Sequence, residues 1–350
     1  MRKTLEKQGY HFVGPHKHSA VKTCLWLWKA MRREGEGNCY KGKFYGIAAH
    51  RCVQMTPSIF CNQRCVHCWR PLEAFNIRKE EEVVWDSPEE IVDGCLKEQQ
   101  RLISGFKGSH KTDKNTFAEA QTPKHAAISL IGEPTLYPQL AELVQEFHSR
   151  GMTTFVVTNG TNPEVVRKIS PSQLYLSLNA PNEEIYKKVA HPDYNYWSRV
   201  KESLEELGRK GKEKEREEKE REEGEEAEER EEGEVKEEVK EGEEGEEGEE
   251  EGKRRTRTVV RITCVEGLNI QNPEGYAELL KIAKPDFVEV KAFMHIGYSR
   301  RRLPREAMPS HSRVKAFASE IAEQLGSGSG ADYKVVNESE VSRVVLVSKK

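Results

Sequence analysis

Six short apolar runs rich in β-branched residues recur along the chain. They are IAAHRCVQM (47–55), AAISLI (126–131), TTFVVT (153–158), LYLSL (174–178), TVVRITCV (258–265) and DFVEVKAF (286–293). Their length and composition predict buried strands. Between them, apolar residues recur at helical spacing in DSPEEIVDGCLKEQQRLISGF, PQLAELVQEFHSR, NPEVVRKI and NPEGYAELLKIA. In the first of these, Ser87 and Glu90 form a capping box with Pro88 at the first helical position. Strands alternating with helices predict an α/β protein built from parallel β/α units. Six strands favour an incomplete TIM-type (β/α)6 barrel over a closed eight-stranded one, with a doubly wound sheet as the alternative.

Polar residues follow these apolar runs: Glu133, Thr158 and Asn159, Asn179, Glu266 and Asn269, then Lys291 and His295. Ligands of parallel β/α folds bind at the carboxyl ends of strands, where the loops converge. Taken singly, each of these residues reads as a loop cap.

Charge changes the picture next. Residues 205–252 hold 26 acidic and 10 basic residues, which leaves 46 basic against 33 acidic in the remainder of a chain whose net charge is −3. That segment has too few apolar residues to bury a core, and its like charges repel. It reads as an insertion, solvated helix at first and disordered beyond. The basic remainder suits a polyanionic partner or an ordinary basic surface. No stretch resembles a membrane span, the N-terminus MRKTLEKQGYHF lacks the apolar core of a signal peptide, and CLWLW is a run of only five residues. The expectation is a cytoplasmic protein, where clustered cysteines favour metal over disulfide.

Three of the eight cysteines fall within FCNQRCVHCWR, at Cys61, Cys65 and Cys68. Structural zinc wants four closed ligands, and no downstream cysteine pair completes a set; His67 is the alternative fourth ligand. Three thiolates on a [4Fe–4S] cluster leave one iron open, and C-x3-C-x2-C after a strand is the spacing of radical S-adenosylmethionine enzymes. Cys24, Cys39 and Cys52 form a second set of three, which spacing alone leaves as unrelated buried cysteines. Cys95 and Cys264 lie within a helical and a strand pattern and read as core.

The chain resembles, nearly end to end, the archaeal tRNA 4-demethylwyosine synthases, radical S-adenosylmethionine enzymes of wybutosine synthesis. The resemblance rests on HSAVKTCLW (18–26), CYKGKFYGIAAHRCVQMTP (39–57), CNQRCVHCWRP (61–71), SLIGEPTLYP (129–138), FVVTNGTNP (155–163), QLYLSLNAP (173–181), EVKAFMHIGYSRRRL (289–303) and MPSH (308–311). The acidic segment is the main stretch without a counterpart, and the flavodoxin-like domain of eukaryotic members is not expected here. The resemblance implies a partial barrel over 47–300, flanked by extensions over 1–46 and 301–350. It further implies that N1-methylguanosine at position 37 of tRNA-Phe, in the anticodon loop, condenses with two carbons of pyruvate. An adenosyl radical, formed with electrons from an external one-electron reductant, would start the reaction at the N1-methyl group. Another radical S-adenosylmethionine enzyme, acting on a small molecule or peptide, is the alternative.

Site residues follow from the same resemblance. Cys61, Cys65 and Cys68 would hold the cofactor-binding [4Fe–4S] cluster. Cys24, Cys39 and Cys52 would hold a second one, which binds pyruvate or relays electrons. Lys41, with Lys43 as the substitute, would form a Schiff base with the keto acid. Glu133 of the GEP segment would receive the methionine ammonium of S-adenosylmethionine, with Asn159, Ser177 and Asn179 at its other polar groups. GYSRRRLPRE is basic and aromatic, so Tyr298, Arg300, Arg301 and Arg302 are the expected RNA contacts.

Overall fold

The computed structural model describes residues 2–32, 39–72, 83–213, 216, 255–327 and 333–349. Its strands are β1 (His11–Val13), β2 (Ser19–Val21), β3 (Cys52–Thr56), β4 (His125–Ile128), β5 (Thr153–Thr158), β6 (Gln173–Ser177), β7 (Arg257–Cys264), β8 (Phe287–Ala292), β9 (Tyr333–Ser339) and β10 (Val344–Lys349). All join one mixed sheet in the order β1-β2-β3-β4-β5-β6-β7-β8-β10-β9. The six expected strands are β3 to β8, parallel and in sequence order. A doubly wound sheet reverses its strand order, and this one does not. The antiparallel flanks, β1 and β2 on one edge and β10 and β9 on the other, are additional. β3 begins later than the apolar run because Ala49–Arg51 forms a single 3-10 turn.

Helices are α1 (Arg2–Lys7), α2 (Leu25–Met31), α3 (Tyr40–Tyr45), α4 (Pro88–Ile103), α5 (Lys114–Ala120), α6 (Leu140–Ser149), α7 (Pro163–Lys168) and α8 (Glu183–Ala190). A helix over 197–213 (α9), α10 (Pro273–Ala283) and α11 (His311–Gly326) follow. α4 starts with the capping box read from the sequence: Ser87 accepts from the Glu90 amide while Glu90 accepts from the Ser87 amide. Residues 205–213 of the expected insertion are helical, as read from the sequence, but they continue α9 and bury Leu207 in the core rather than standing solvated. The remainder of that segment lies outside the described residues, Arg216 apart.

Period-2 alternation divides each strand between two environments. Val53, Met55, Val156, Leu174, Leu176, Val260, Ile262, Val288 and Val290 pack with α4, α6, α10 and α11 in the main core, and Cys95 and Cys264 are buried there. The opposite, inner face carries Cys52, Phe155, Tyr175, Arg261, Glu289 and Lys291. This polar and aromatic face, against which α3 packs through Tyr40, Lys41 and Tyr45, is where chemistry can be placed. Among the described residues no helix is long and apolar enough to cross a membrane.

Candidate active site

Two features of the chain hold the Cys61 loop beyond the end of β3. From below, the Arg64 amide donates to Ala190 O at 2.9 Å and the Val66 amide to Val189 O at 2.9 Å, mooring the loop on the end of α8. From above, Arg302 donates to the carbonyls of Val66, Cys68 and Arg70. The Arg70 guanidinium is itself buried, stacked 4.0 Å from the Trp69 ring and 5.1 Å from Tyr10. Cys61, Cys65 and Cys68 thereby line one cavity of about 290 Å³ together with Glu133, Asn159, Ser177, Asn179 and Arg261. That volume is at the small end of ligand pockets, about 300–1,000 Å³.

Gly132 shapes the floor of this cavity. Its φ is +74°, and a Cβ there would lie 2.1 Å from Ser58 O and 2.6 Å from Phe60 O. Glu133 follows, 2% exposed. One carboxylate oxygen, Oε1, accepts from the Thr135 amide and hydroxyl and from Thr158 Oγ1, at 3.2, 2.7 and 2.6 Å. The other, Oε2, accepts from the Asn159 amide at 2.7 Å, its one hydrogen bond among the described residues, and Glu133 lines the cavity. Burial raises the Glu133 pKa, opposed by the Thr158 and Thr135 hydroxyls and the Asn159 amide. A cationic ligand would favour the ionised form. The Asn159 side chain bonds Asn62 and Thr161, and Asn179 Oδ1 accepts from the Thr263 amide, so both shape the wall as well as line it.

The second set of cysteines also converges. Cys24 is the N-cap of α2 and Cys39 the N-cap of α3, while Cys52 begins β3 on the inner face. Cys52 lies within electrostatic reach of Cys24 and Cys39, and Cys24 within reach of Cys39; burial pushes the pKa values of Cys24 and Cys52 up, Cys52 to about 12. Burial likewise raises Cys61 well above its usual value and Cys65 to about 12. Thiols held neutral by burial become ligands when a metal supplies the compensating charge. Among the described residues no three such side chains close on a point fit for a single ion. A four-iron cubane takes its thiolates on separate irons and so needs them spread apart. Three thiols in each set are the donor chemistry such a group takes.

α3 sorts the two lysines, because residues two apart on a helix face different sides. Lys43 is exposed and donates to Glu338 O at 2.6 Å, so it does not reach the inner face. Lys41 turns inward and is partly buried, with its Nζ 4.8 Å from the Tyr175 ring centroid and 4.9 Å from Phe155. Burial and then Arg261 lower its pKa, while Cys39, Glu289 and Cys52 oppose them. Arg261 is the side chain shared by the two regions, since it also lines the cavity of Cys61 and Glu133. It pairs with fully buried Glu289, Nη2 to Oε2 at 2.8 Å. Tyr40 and Tyr45 donate to the same carboxylate at 3.3 and 2.8 Å.

The GYSRRRL segment divides. Arg301 stacks 4.6 Å from the half-buried Tyr298 ring, and the Tyr298 amide donates to Trp69 O at the cavity mouth. Exposed Arg300 donates to His295 O. Arg302, expected among the RNA contacts, instead has its guanidinium on three carbonyls of the cysteine loop, and that geometry takes its donors away from a phosphate. Sequence reasoning missed Arg70, Arg261 and Glu289; a charge inside an apolar strand, as in TVVRITCV and DFVEVKAF, is the signal that marks the last two. Asn269 and His295, noted at strand ends, are spent on backbone groups.

Residues 55–216 match the radical SAM superfamily, and residues 282–349 match wyosine base formation. A Pyrococcus abyssi protein named S-adenosyl-L-methionine-dependent tRNA 4-demethylwyosine synthase is 43% identical, over 97% of this chain and 86% of its own. One of the same name from Methanocaldococcus jannaschii is 36% identical, over 99% and 94%. A solved structure described as TYW1 with a lysine-pyruvate adduct bound superposes with a TM-score of 0.75 at 33% identity, covering 99% of this chain and 94% of that one.

Proposed function

The chain belongs to the radical S-adenosylmethionine family of tRNA 4-demethylwyosine synthases, and on that premise we propose that it condenses N1-methylguanosine of tRNA-Phe with pyruvate to form 4-demethylwyosine. The observation that carries this reading is the position of Lys41. Its amine is within electrostatic reach of Cys24, Cys39, Cys52 and Arg261, and Arg261 itself borders the cavity of Cys61, Cys65, Cys68 and Glu133. The lysine-pyruvate adduct of the TYW1 structure supports a keto acid on that amine.

Cys61, Cys65 and Cys68 would hold one [4Fe–4S] cluster and Cys24, Cys39 and Cys52 a second. Together with S-adenosylmethionine and an external reductant they supply one-electron chemistry able to take hydrogen from an unactivated methyl group. The protein's part is placement. Glu133 Oε2 accepts the cofactor's ammonium, with Ser177 and Asn179 on the facing wall. The Lys41 amine attacks the pyruvate carbonyl carbon, the C=N bond forms, and the carbonyl oxygen leaves as water with the two nitrogen-borne protons. Tyr175 and Phe155 shield the imine from hydrolysis. Trp69, Tyr298, Arg300 and Arg301 at the mouth receive the anticodon loop, whose unpaired base reaches the cavity without leaving a duplex. The six parallel strands then form the wall of an incomplete barrel around both sites. Reduced thiols and a one-electron donor fit a cytoplasmic setting.

Nucleoside mass spectrometry of N1-methylated tRNA-Phe, after anaerobic incubation with pyruvate, S-adenosylmethionine and dithionite, tests the reading. The parent chain and Lys43→Ala should form product, and Lys41→Ala should form none. Product from Lys41→Ala at the parent's rate would remove that residue from the reaction. A parent that cleaves the cofactor yet leaves the tRNA unchanged would favour a small molecule or peptide as substrate.

A further inference from the structure

Alternation along β8 turns Glu289 and Lys291 to the same inner face, and the register sets Arg261 beside Glu289 and Thr263 beside Lys291. Three cations, Lys41, Lys291 and Arg261, therefore meet one carboxylate. Glu289 is already satisfied: Oε2 accepts from Arg261 Nε at 2.9 Å and from Tyr40, and Oε1 from Tyr45 at 2.8 Å. What the Lys291 ammonium has is the face of the Tyr40 ring, 4.5 Å from its centroid. Lys291 also lies within electrostatic reach of Lys41 and Cys39. Thr263, its neighbour across the strands, lines the cofactor cavity. Glu289 balances one of these three partly buried cations, and the positive charge left over suits an anion from outside the chain.

We propose that Lys291 is the positioning residue that holds the carboxylate of the 2-oxo acid while Lys41 meets its carbonyl. The inference rests on the keto-acid reading above and extends it to selectivity. A molecule bearing a carboxylate next to a ketone has one group for each amine. A ketone without the carboxylate has nothing for Lys291. The contact is an ion pair with hydrogen bonding, and no bond to Lys291 forms or breaks.

Borohydride trapping of pyruvate on the anaerobically reconstituted full chain, read by peptide mass spectrometry, tests this without turnover. In the parent the adduct should form on Lys41, and pyruvate should half-saturate trapping at far lower concentration than acetone. Lys291→Met should raise the half-saturating pyruvate concentration on the order of tenfold to a hundredfold, the loss of one charge-assisted contact. It should leave acetone trapping unchanged, so that the preference for the acid collapses. Lys291→Gln should behave as Lys291→Met does, and Lys291→Arg should keep most of the preference. Lys291→Gln stands in if the methionine variant fails to retain iron. Unchanged pyruvate trapping in the Met and Gln variants, with the parent adduct on Lys41, would overturn the anchor alone. An adduct on Lys291 itself would also overturn it. No lysine adduct in the parent would overturn the keto-acid reading and the anchor with it.

Discussion

Arg302→Ala separates a loop-holding arginine from an RNA-contacting one. The guanidinium donates to Val66 O at 3.2 Å and Arg70 O at 3.4 Å, with a closer contact to Cys68 O. Hydrogen bonds involving a charged group contribute about 1.5–3 kcal/mol each, and two of these are long, so the set together is taken as about 2–4 kcal/mol. Water replaces part of what is lost, because the side chain is only partly buried. Removing it should shift the local opening of the Cys61 loop by roughly 30- to 700-fold, at 1.4 kcal/mol per tenfold. Iron release to a chelator, followed by absorbance in the reconstituted protein, reports that opening. Release from Arg302→Ala should outpace the parent at least tenfold, and the salt slope of tRNA binding should stay within one charge of the parent's. Arg300→Ala/Arg301→Ala should do the reverse, keeping iron and flattening the slope. Parent-like iron retention in Arg302→Ala, together with a slope reduced by about one, would refute the loop-holding role and return Arg302 to the phosphate backbone.

Other substitutions probe the rest of the site. Gly132→Ala puts a methyl group against the Ser58 and Phe60 carbonyls at a left-handed φ, so urea denaturation should show a loss of about 2–4 kcal/mol, and parent-like stability would mean the loop moves freely. Glu133→Gln removes the charge that faces a ligand ammonium, and calorimetry should show S-adenosylmethionine binding weakened by about tenfold or more; unchanged affinity would take Glu133 out of the cofactor site. Arg261→Met removes the ion-pair partner of buried Glu289 and leaves two tyrosine hydroxyls as its hydrogen-bond donors among the described residues, and the melting temperature should fall by roughly 5–10 °C. Adding Glu289→Leu should recover at least half of that fall, and no recovery would mean Arg261 acts through packing rather than charge.

The parallel strands were legible because both of their faces are covered, which leaves continuous β-branched runs such as TTFVVT, observed as Thr153–Thr158. β1 and β2 are three residues each, too short for a period to register. VVLVSK carries as clear an apolar run as the six, yet its antiparallel place on the far edge of β8 is set by partners distant in sequence. The cysteine sets show the same division. Spacing marks Cys61, Cys65 and Cys68, whereas Cys24, Cys39 and Cys52 meet only because two helix N-termini and a strand start converge. Lys41 and Lys43 are indistinguishable as letters and opposite on a helix. The three arginines of the RRR run differ only through the 3-10 turn Gly297–Arg301 that precedes Arg302 and turns it inward.

The proposed activity requires two separate cysteine sets to hold two separate metal groups, the Cys24, Cys39 and Cys52 group beside Lys41. Iron and sulfide content after anaerobic reconstitution measures that directly, in the parent, in a Cys61/Cys65/Cys68→Ala variant and in a Cys24/Cys39/Cys52→Ala variant. Two cubanes require about eight irons in the parent and about four in each variant. Zinc in the parent, or about four irons in the parent and no loss on replacing Cys24, Cys39 and Cys52, would contradict the account and leave Lys41 without a metal group beside it.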